Sequence, residues 1–400
     1  MRMTPNVQST AAGGASQMPN KPGVYPPAFL EYAWYASLAY AYLGGVWGIV
    51  IPAVGGAILL VLSAACLLNL GDRAIPLCKP VAWAFYTGIA VLLIEVMFHD
   101  IGGKAILEIT AFAQWLTVLI IVQTLSLRPN FLHRFALAAL VIGVACLPYI
   151  NVRSVGGVMR AWASGTGISN PNVLGMWFGF CTVYFTFWGL QCRTPLWRAG
   201  SWAVAVGSFF IVALTVSRAP LLGIVLAAIV GFRSALKQNF LPVLLLVLAV
   251  GLVYVSGVFD EEMGYYASRG AEESGRGRLW PAAMERILES PWVGDGLDHI
   301  GIQGRSGKFM NPHNPILHIA LGAGLLPVIC FLGYLVTLVL GVRNMMQRVQ
   351  VGESALLPPL VAFGVFDMMT LDLAFMTPWM VVVFGLTAGA AQTGAYRRKS

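Results

Sequence analysis

The chain has 400 residues, of which 58% are hydrophobic and only 10% charged, against roughly 25% charged in an average soluble domain. A water-soluble fold cannot hide that much apolar surface, so the composition excludes a soluble globular protein and calls for a bilayer as solvent. The net charge of +8 falls mostly in short connections between apolar runs, which points to membrane orientation and away from nucleic acid.

In chain order, residues 1–27 are rich in Pro, Gly, Ser, Asn and Gln. They lack the continuous apolar core of a cleavable signal peptide and read as a disordered cytoplasmic tail. Apolar runs occupy the chain near 30–47, 49–70, 81–98, 105–125, 131–150, 172–191, 200–217, 219–233 and 240–257. They assign residues 28–257 to transmembrane helices one to nine. Residues 258–312 form the one large polar loop, with nine of the seventeen acidic residues. Short helices are expected in it, including an amphipathic one near 281–290 with Pro281 in its first turn. Runs near 313–341, 356–372 and 374–393 assign residues 313–393 to helices ten to twelve, and residues 394–400 form a basic cytoplasmic tail. The expected fold class is all-α, a polytopic helical bundle of about twelve spans. Eleven spans stay open, because the runs at 30–70 and 200–233 are short or tightly connected. No internal repeat is visible.

Placing the N-terminus inside puts fifteen of the twenty-five Lys and Arg residues on the cytoplasmic side, as the excess of cations in cytoplasmic loops requires. The short outer connections then carry only Lys104, Arg153, Arg160 and Arg218. Loop 258–312 faces outward. It contains none of the six cysteines, so it has no disulfide framework, and the chain shows no Cys/His metal spacing.

Two residues stand out chemically. In Asn311-Pro312-His313-Asn314-Pro315, Asn314 suits an N-cap and Pro315 a first helical position. His313 then sits where the outer loop enters the next span. Neutral imidazole there can accept a proton, or it can merely cap a helix end at the headgroups. Arg218, in Val216-Ser217-Arg218-Ala219-Pro220, interrupts apolar sequence. Its guanidinium can grip a phosphate bidentately or snorkel to lipid headgroups. Arg276 and Arg278, in the loop, and Arg153 and Arg160, in another outer connection, could complete a cationic pocket for a pyrophosphate, although each alone reads as a surface charge.

Acidic residues read mainly as charge partners. Glu95, beside His99 and Asp100, together with Asp367 and Asp372, would neutralise buried arginines. Asp260-Glu261-Glu262 and Asp295/Asp298 form no sharp metal motif. His318, five residues after His313, faces elsewhere on the helix and is expected to be structural, with only a mild loss on removal.

Three segments carry a family likeness: Ser217-Arg218-Ala219-Pro220-Leu221-Leu222-Gly223; Gly277-Arg278-Leu279-Trp280 through Pro291-Trp292-Val293-Gly294-Asp295-Gly296; and His313-Asn314-Pro315-Ile316-Leu317 through Gly322-Ala323-Gly324. In this order the chain resembles the O-antigen ligases, within the group that includes O-antigen polymerases and protein O-glycosyltransferases. The resemblance implies a GT-C-like helical fold in the bacterial inner membrane with an active site facing the periplasm, on the side of loop 258–312. It implies a donor polysaccharide on undecaprenyl pyrophosphate and a sugar hydroxyl of lipid A–core as acceptor, completing lipopolysaccharide. No nucleotide or other cofactor is implied, and the partners are the two lipid-linked substrates and membrane lipids.

On this likeness His313 is the base, Arg218 and Arg278 stabilise the leaving pyrophosphate, and Arg153, Arg160, Arg276 and Asn314 bind substrate. The chemistry is expected to be metal-independent and inverting. The rivals are a polymerase, a protein O-glycosyltransferase and, more distantly, a transporter. A transporter would use Glu95, Asp367 and Asp372 as ion sites and show repeats or broken helices, neither of which the sequence displays.

Overall fold

The computed structural model describes residues 25–46, 48, 52–72, 77–155, 158–233, 276–303, 309–346 and 355–369. The expected spans at 240–257 and 374–393, the acids at 260–262, Asp372 and both tails lie outside the described residues.

The described chain is mostly helical. α1 (Ala28–Leu43), α2 (Pro52–Asp72), α3 (Lys79–Phe98), α4 (Gly103–Leu125) and α5 (Phe131–Cys146) are followed by a hairpin of β1 (Ile150–Val155) and β2 (Val158–Ala163). Next come α6 (Pro171–Gln191), α7 (Pro195–Leu214) and α8 (Arg218–Gly231), and then the loop helix α9 (Arg276–Glu289). A small hairpin, β3 (Ile302–Gln303) with β4 (Phe309–Met310), precedes α10 (Pro315–Ala323), α11 (Leu325–Met346) and α12 (Leu357–Met368). Among the described residues, six segments are long and apolar enough to cross a membrane: 54–71, 79–98, 103–125, 131–149, 171–191 and 195–214. Three shorter apolar helices accompany them, over 218–231, 325–341 and 357–367. The chain is a multi-pass helical membrane protein.

Proline punctuates the helix starts. α3, α6, α7, α10 and α12 each carry Pro in the first two positions, where its missing N–H has no intrahelical partner to lose.

Side-chain contacts fix which helix ends lie together. Glu31, almost fully buried at the start of α1, accepts from Arg128 at 3.0 Å and Arg134 at 2.6 Å in the α4–α5 region. The other end of α1 meets the chain after β2, where Gly167 N–H donates to Tyr42 carbonyl at 2.9 Å. The β1–β2 hairpin therefore lies at the end opposite Glu31. The α3–α4 turn lies there too, because α4 runs from that end to the α4–α5 turn. The α3–α4 turn also receives loop residues 293–298, and the end of the bundle that carries them is termed the outer end.

Three features depart from the sequence expectations. First, strands occur at 150–163, where the apolar run 131–150 leaves the helix after Cys146 and continues as β-branched Ile150, Val152 and Val155. Second, α9 begins at Arg276, so Pro281 lies inside it and not in its first turn. Its buried face is Leu279, Ala283 and Ile287, one helical turn apart. Third, the run 313–341 is two helices broken at Gly324, whose φ is 76°.

The break is closed by the loop segment 291–296. Asp295 N–H donates to Leu321 carbonyl (2.7 Å), Gly296 N–H to Gly322 carbonyl (3.0 Å), and Leu325 N–H to Pro291 carbonyl (2.9 Å). Non-helical backbone within a membrane protein survives where protein groups satisfy it, as here. The glycines permit the approach: a Cβ at Gly294 would sit 2.6 Å from Leu321 carbonyl oxygen, and one at Gly324 would collide with Trp292 carbonyl. The break also removes one objection to a transporter, the apparent lack of interrupted helices.

Candidate active site at the outer end

The loop is strapped to the bundle by acids, among them Glu95, which the sequence pairs with an arginine. Glu95, fully buried, accepts from Leu297 N–H at 3.1–3.2 Å, so its partner is backbone. His99 Nε2 lies 2.9 Å from Val293 carbonyl; a carbonyl only accepts, so this nitrogen carries the proton. Asp298 closes the start of α4, accepting from Gly102 N–H (2.6 Å), Lys104 N–H (2.9 Å) and Ala105 N–H (3.1 Å). Desolvation alone would raise the pKa of Asp298, but these backbone donors outweigh it and hold the carboxyl below its ordinary value. The strap is therefore present above the ordinary carboxylate range and is lost only as pH falls through the lowered value. Asp295 pairs with Arg286, which also donates to Gly301 carbonyl at 2.7 Å and His299 carbonyl at 2.8 Å. These acids are engaged with protein groups, and no trio of His, Cys, Asp or Glu suited to a metal occurs among the described residues.

Two helix starts at this end carry the candidate residues. The first is α8. Val216, just before it, has a φ of 49°, which is a strained backbone for a β-branched residue. Ser217 occupies the N-cap position without capping the helix. Its hydroxyl instead accepts from Arg160 Nη2 at 2.8 Å and donates to Asn172 Oδ1 at 3.0 Å. Arg160 is buried; its Nε donates to Thr215 carbonyl at 2.9 Å and its Nη2 also reaches Asn172 Oδ1 at 3.1 Å. The guanidinium thus grips the chain on both sides of Val216.

Arg218 comes next, at the first helical position, exposed and without an ion pair among the described residues. No acid occupies the first turn of α8. A cation there opposes the helix dipole; together with N–H groups that no side chain caps, it favours an anion. Arg153 is the direct cross-strand partner of Arg160, so the two side chains leave the same face of the hairpin. Arg153 is exposed and Arg160 buried.

The second is the start of α10. His313, half-buried, has a φ of 51°. Here the N-cap does cap: Asn314 Oδ1 accepts from Ile316 N–H at 2.9 Å and Leu317 N–H at 3.2 Å. Asn314 fills these N–H groups, so they are not open to an anion, and its carboxamide oxygen is engaged. Trp280 of α9 donates its indole N–H to Pro312 carbonyl at 3.0 Å, tying the loop helix to the His313 turn. Arg276 and Arg278 open α9, again with no acid in its first turn; their side chains lie outside the described residues.

His318, on α10 below this turn, is fully buried, with Nε2 3.1 Å from Glu108 Oε2 of α4. That pairing fits a structural role, with the cost of its loss falling on the fold.

The structure brings Arg160 to the Arg218 turn and joins His313, Asn314 and the helix of Arg276 and Arg278. Sequence reasoning missed Trp280, Asn172, Ser217 and Glu108 as supporting residues. Trp280 lies within a quoted motif, but nothing local to the sequence reveals its partner. The strained turns give no signal either, since neither Val216 nor His313 is the glycine that usually marks positive φ.

No curated protein matches the chain. Residues 203–332, which contain the starts of α8 and α10, the loop helix and the break at Gly324, match the O-antigen ligase family, the family to which the three motifs point.

Proposed function

We propose that the protein is an O-antigen ligase that transfers a polysaccharide from undecaprenyl pyrophosphate to a sugar hydroxyl of lipid A–core. The observation that carries this reading is the family match over residues 203–332, within which lie both strained helix starts at the outer end. The donor is already activated, so the chain needs an anion clamp and a proton acceptor. Arg218 at the uncapped start of α8, with Arg278, Arg276 and Arg153, binds the pyrophosphate and stabilises the charge that grows as it leaves. Arg160 holds the turn that presents Arg218. His313 takes the proton of the acceptor hydroxyl as its oxygen attacks the anomeric carbon. The glycosyl–phosphate bond breaks on the opposite face, inverting that carbon, and Asn314 keeps the His313 turn at the acceptor.

On the same reading the outer end lies in the periplasm, beside the bacterial inner membrane. The fold is a GT-C-like arrangement of about twelve spans, and the reaction needs no metal. The test is the lipopolysaccharide of a strain lacking the gene. Ligase loss leaves unsubstituted core while polymer accumulates on the carrier. Core bearing a single repeat unit would instead identify a polymerase, and unchanged lipopolysaccharide would defeat both.

A further inference from the structure

Resting on the transfer proposed above, we infer that Trp280 is a positioning residue, whose indole N–H fixes the peptide plane that aims His313. The backbone between Pro312 and Asn314 is held from two directions. On the far side Asn314 caps α10 through Ile316 and Leu317. On the near side the indole of Trp280 donates to Pro312 carbonyl at 3.0 Å. That carbonyl belongs to the peptide plane joining Pro312 to His313. Rotating this plane changes φ of His313, so the bond that fixes the oxygen also fixes the φ of 51°.

Left-handed backbone is disfavoured for any residue with a Cβ, and without the indole the plane can flip toward the ordinary negative range. The imidazole would then leave its direction while α10, still capped, remained folded. Trp280 is itself anchored, because its neighbour Leu279 lies on the buried face of α9 with Ala283 and Ile287. The donor is therefore carried on a packed helix and not on a mobile tip.

The N–H and the ring can be tested apart. Replacing Trp280 by 3-benzothienylalanine keeps the bicyclic shape and puts sulfur where the N–H was; Trp280→Phe removes the donor with some volume. Both are assayed as purified full-length protein for transfer from carrier-linked glycan to lipid A–core, alongside the unfolding midpoint in detergent. The expected result is a kcat lower by roughly five- to tenfold, the range of one net hydrogen bond. KM for both substrates should stay within about twofold, and the analogue's midpoint should be unchanged.

An analogue with wild-type kcat would overturn the inference. So would a rise in acceptor KM at constant kcat, which would make Trp280 a substrate contact, or a fall of kcat together with the midpoint, which would make it structural. Wild-type protein that transfers nothing would sink the proposed function and this inference together; a full-rate analogue beside an active wild type sinks the inference alone.

Discussion

The starts of α8 and α10 share a plan and diverge at one point. Each is preceded by a residue other than glycine in the left-handed region, Val216 and His313, and each turn is gripped by a long side chain from another element, Arg160 and Trp280. They part at the N-cap. Ser217 turns its hydroxyl to Arg160 and Asn172, leaving α8 uncapped below an exposed Arg218, whereas Asn314 takes two N–H groups and closes α10. An open, cationic start suits an anion. A closed start has its first N–H groups filled, offers less to an anion, and presents the imidazole beside it. On the transfer proposed above, the same backbone device would serve opposite ends of one reaction: leaving-group charge at α8, and the proton at α10.

Predictions that break this pairing run from the proton to the scaffold. His313→Ala should cost ~10²–10⁴-fold in transfer rate, the usual worth of a positioned base, with insertion and donor binding kept. Retention of more than about a tenth of the rate would leave His313 as a helix-end residue only.

Arg218→Ala should cost ~10²–10³-fold, the range for removing one donor to developing charge, and Arg218→Lys should recover only part because it lacks the bidentate fork. Full recovery by Lys would show that a point charge suffices and that the forked geometry is irrelevant.

Arg160→Lys should be weaker, lowering transfer by about tenfold, because a single ammonium lacks the spread from Nε to Nη2 with which the guanidinium reaches Thr215 carbonyl, Ser217 hydroxyl and Asn172. If Arg160→Lys matches Arg218→Ala in severity, Arg160 is itself a pyrophosphate ligand and the clamp account is wrong.

The smallest effect on chemistry is expected from His318→Ala. It leaves Glu108 buried without its imidazole, which should lower stability by ~1–3 kcal/mol while sparing turnover per folded molecule. A thermal midpoint equal to wild type would contradict the structural role.

Each interaction is legible in the sequence to the degree that it is local. The Asn314-Pro315 start is readable because capping depends on the residues at the helix start. The placement of Arg218 at a helix start is readable because Ser217 and Pro220 flank it in a short polar gap. The break at Gly324 is not: glycine is common in transmembrane helices, and the run continues apolar on both sides. What makes Gly324 a break is Pro291, Trp292 and Asp295 lying against it, about thirty residues earlier in the chain. Glu95 likewise resembles a counter-ion because an intramembrane acid usually has a charged partner; its partner, Leu297 N–H, lies 202 residues away and carries no sequence signature. The hairpin at 150–163 is hidden because its first strand continues an apolar run that begins as helix.

Group transfer at the outer end is the central claim, and one reaction tests it. Purified protein in detergent or nanodiscs would be given undecaprenyl-pyrophosphate-linked polysaccharide and lipid A–core, without nucleotide sugar and with EDTA present. The expected result is polysaccharide joined to lipid A–core with release of undecaprenyl pyrophosphate, and loss of that product in His313→Ala. Polymer lengthened on its carrier with lipid A–core untouched, or transfer only after a divalent metal is restored, would contradict it.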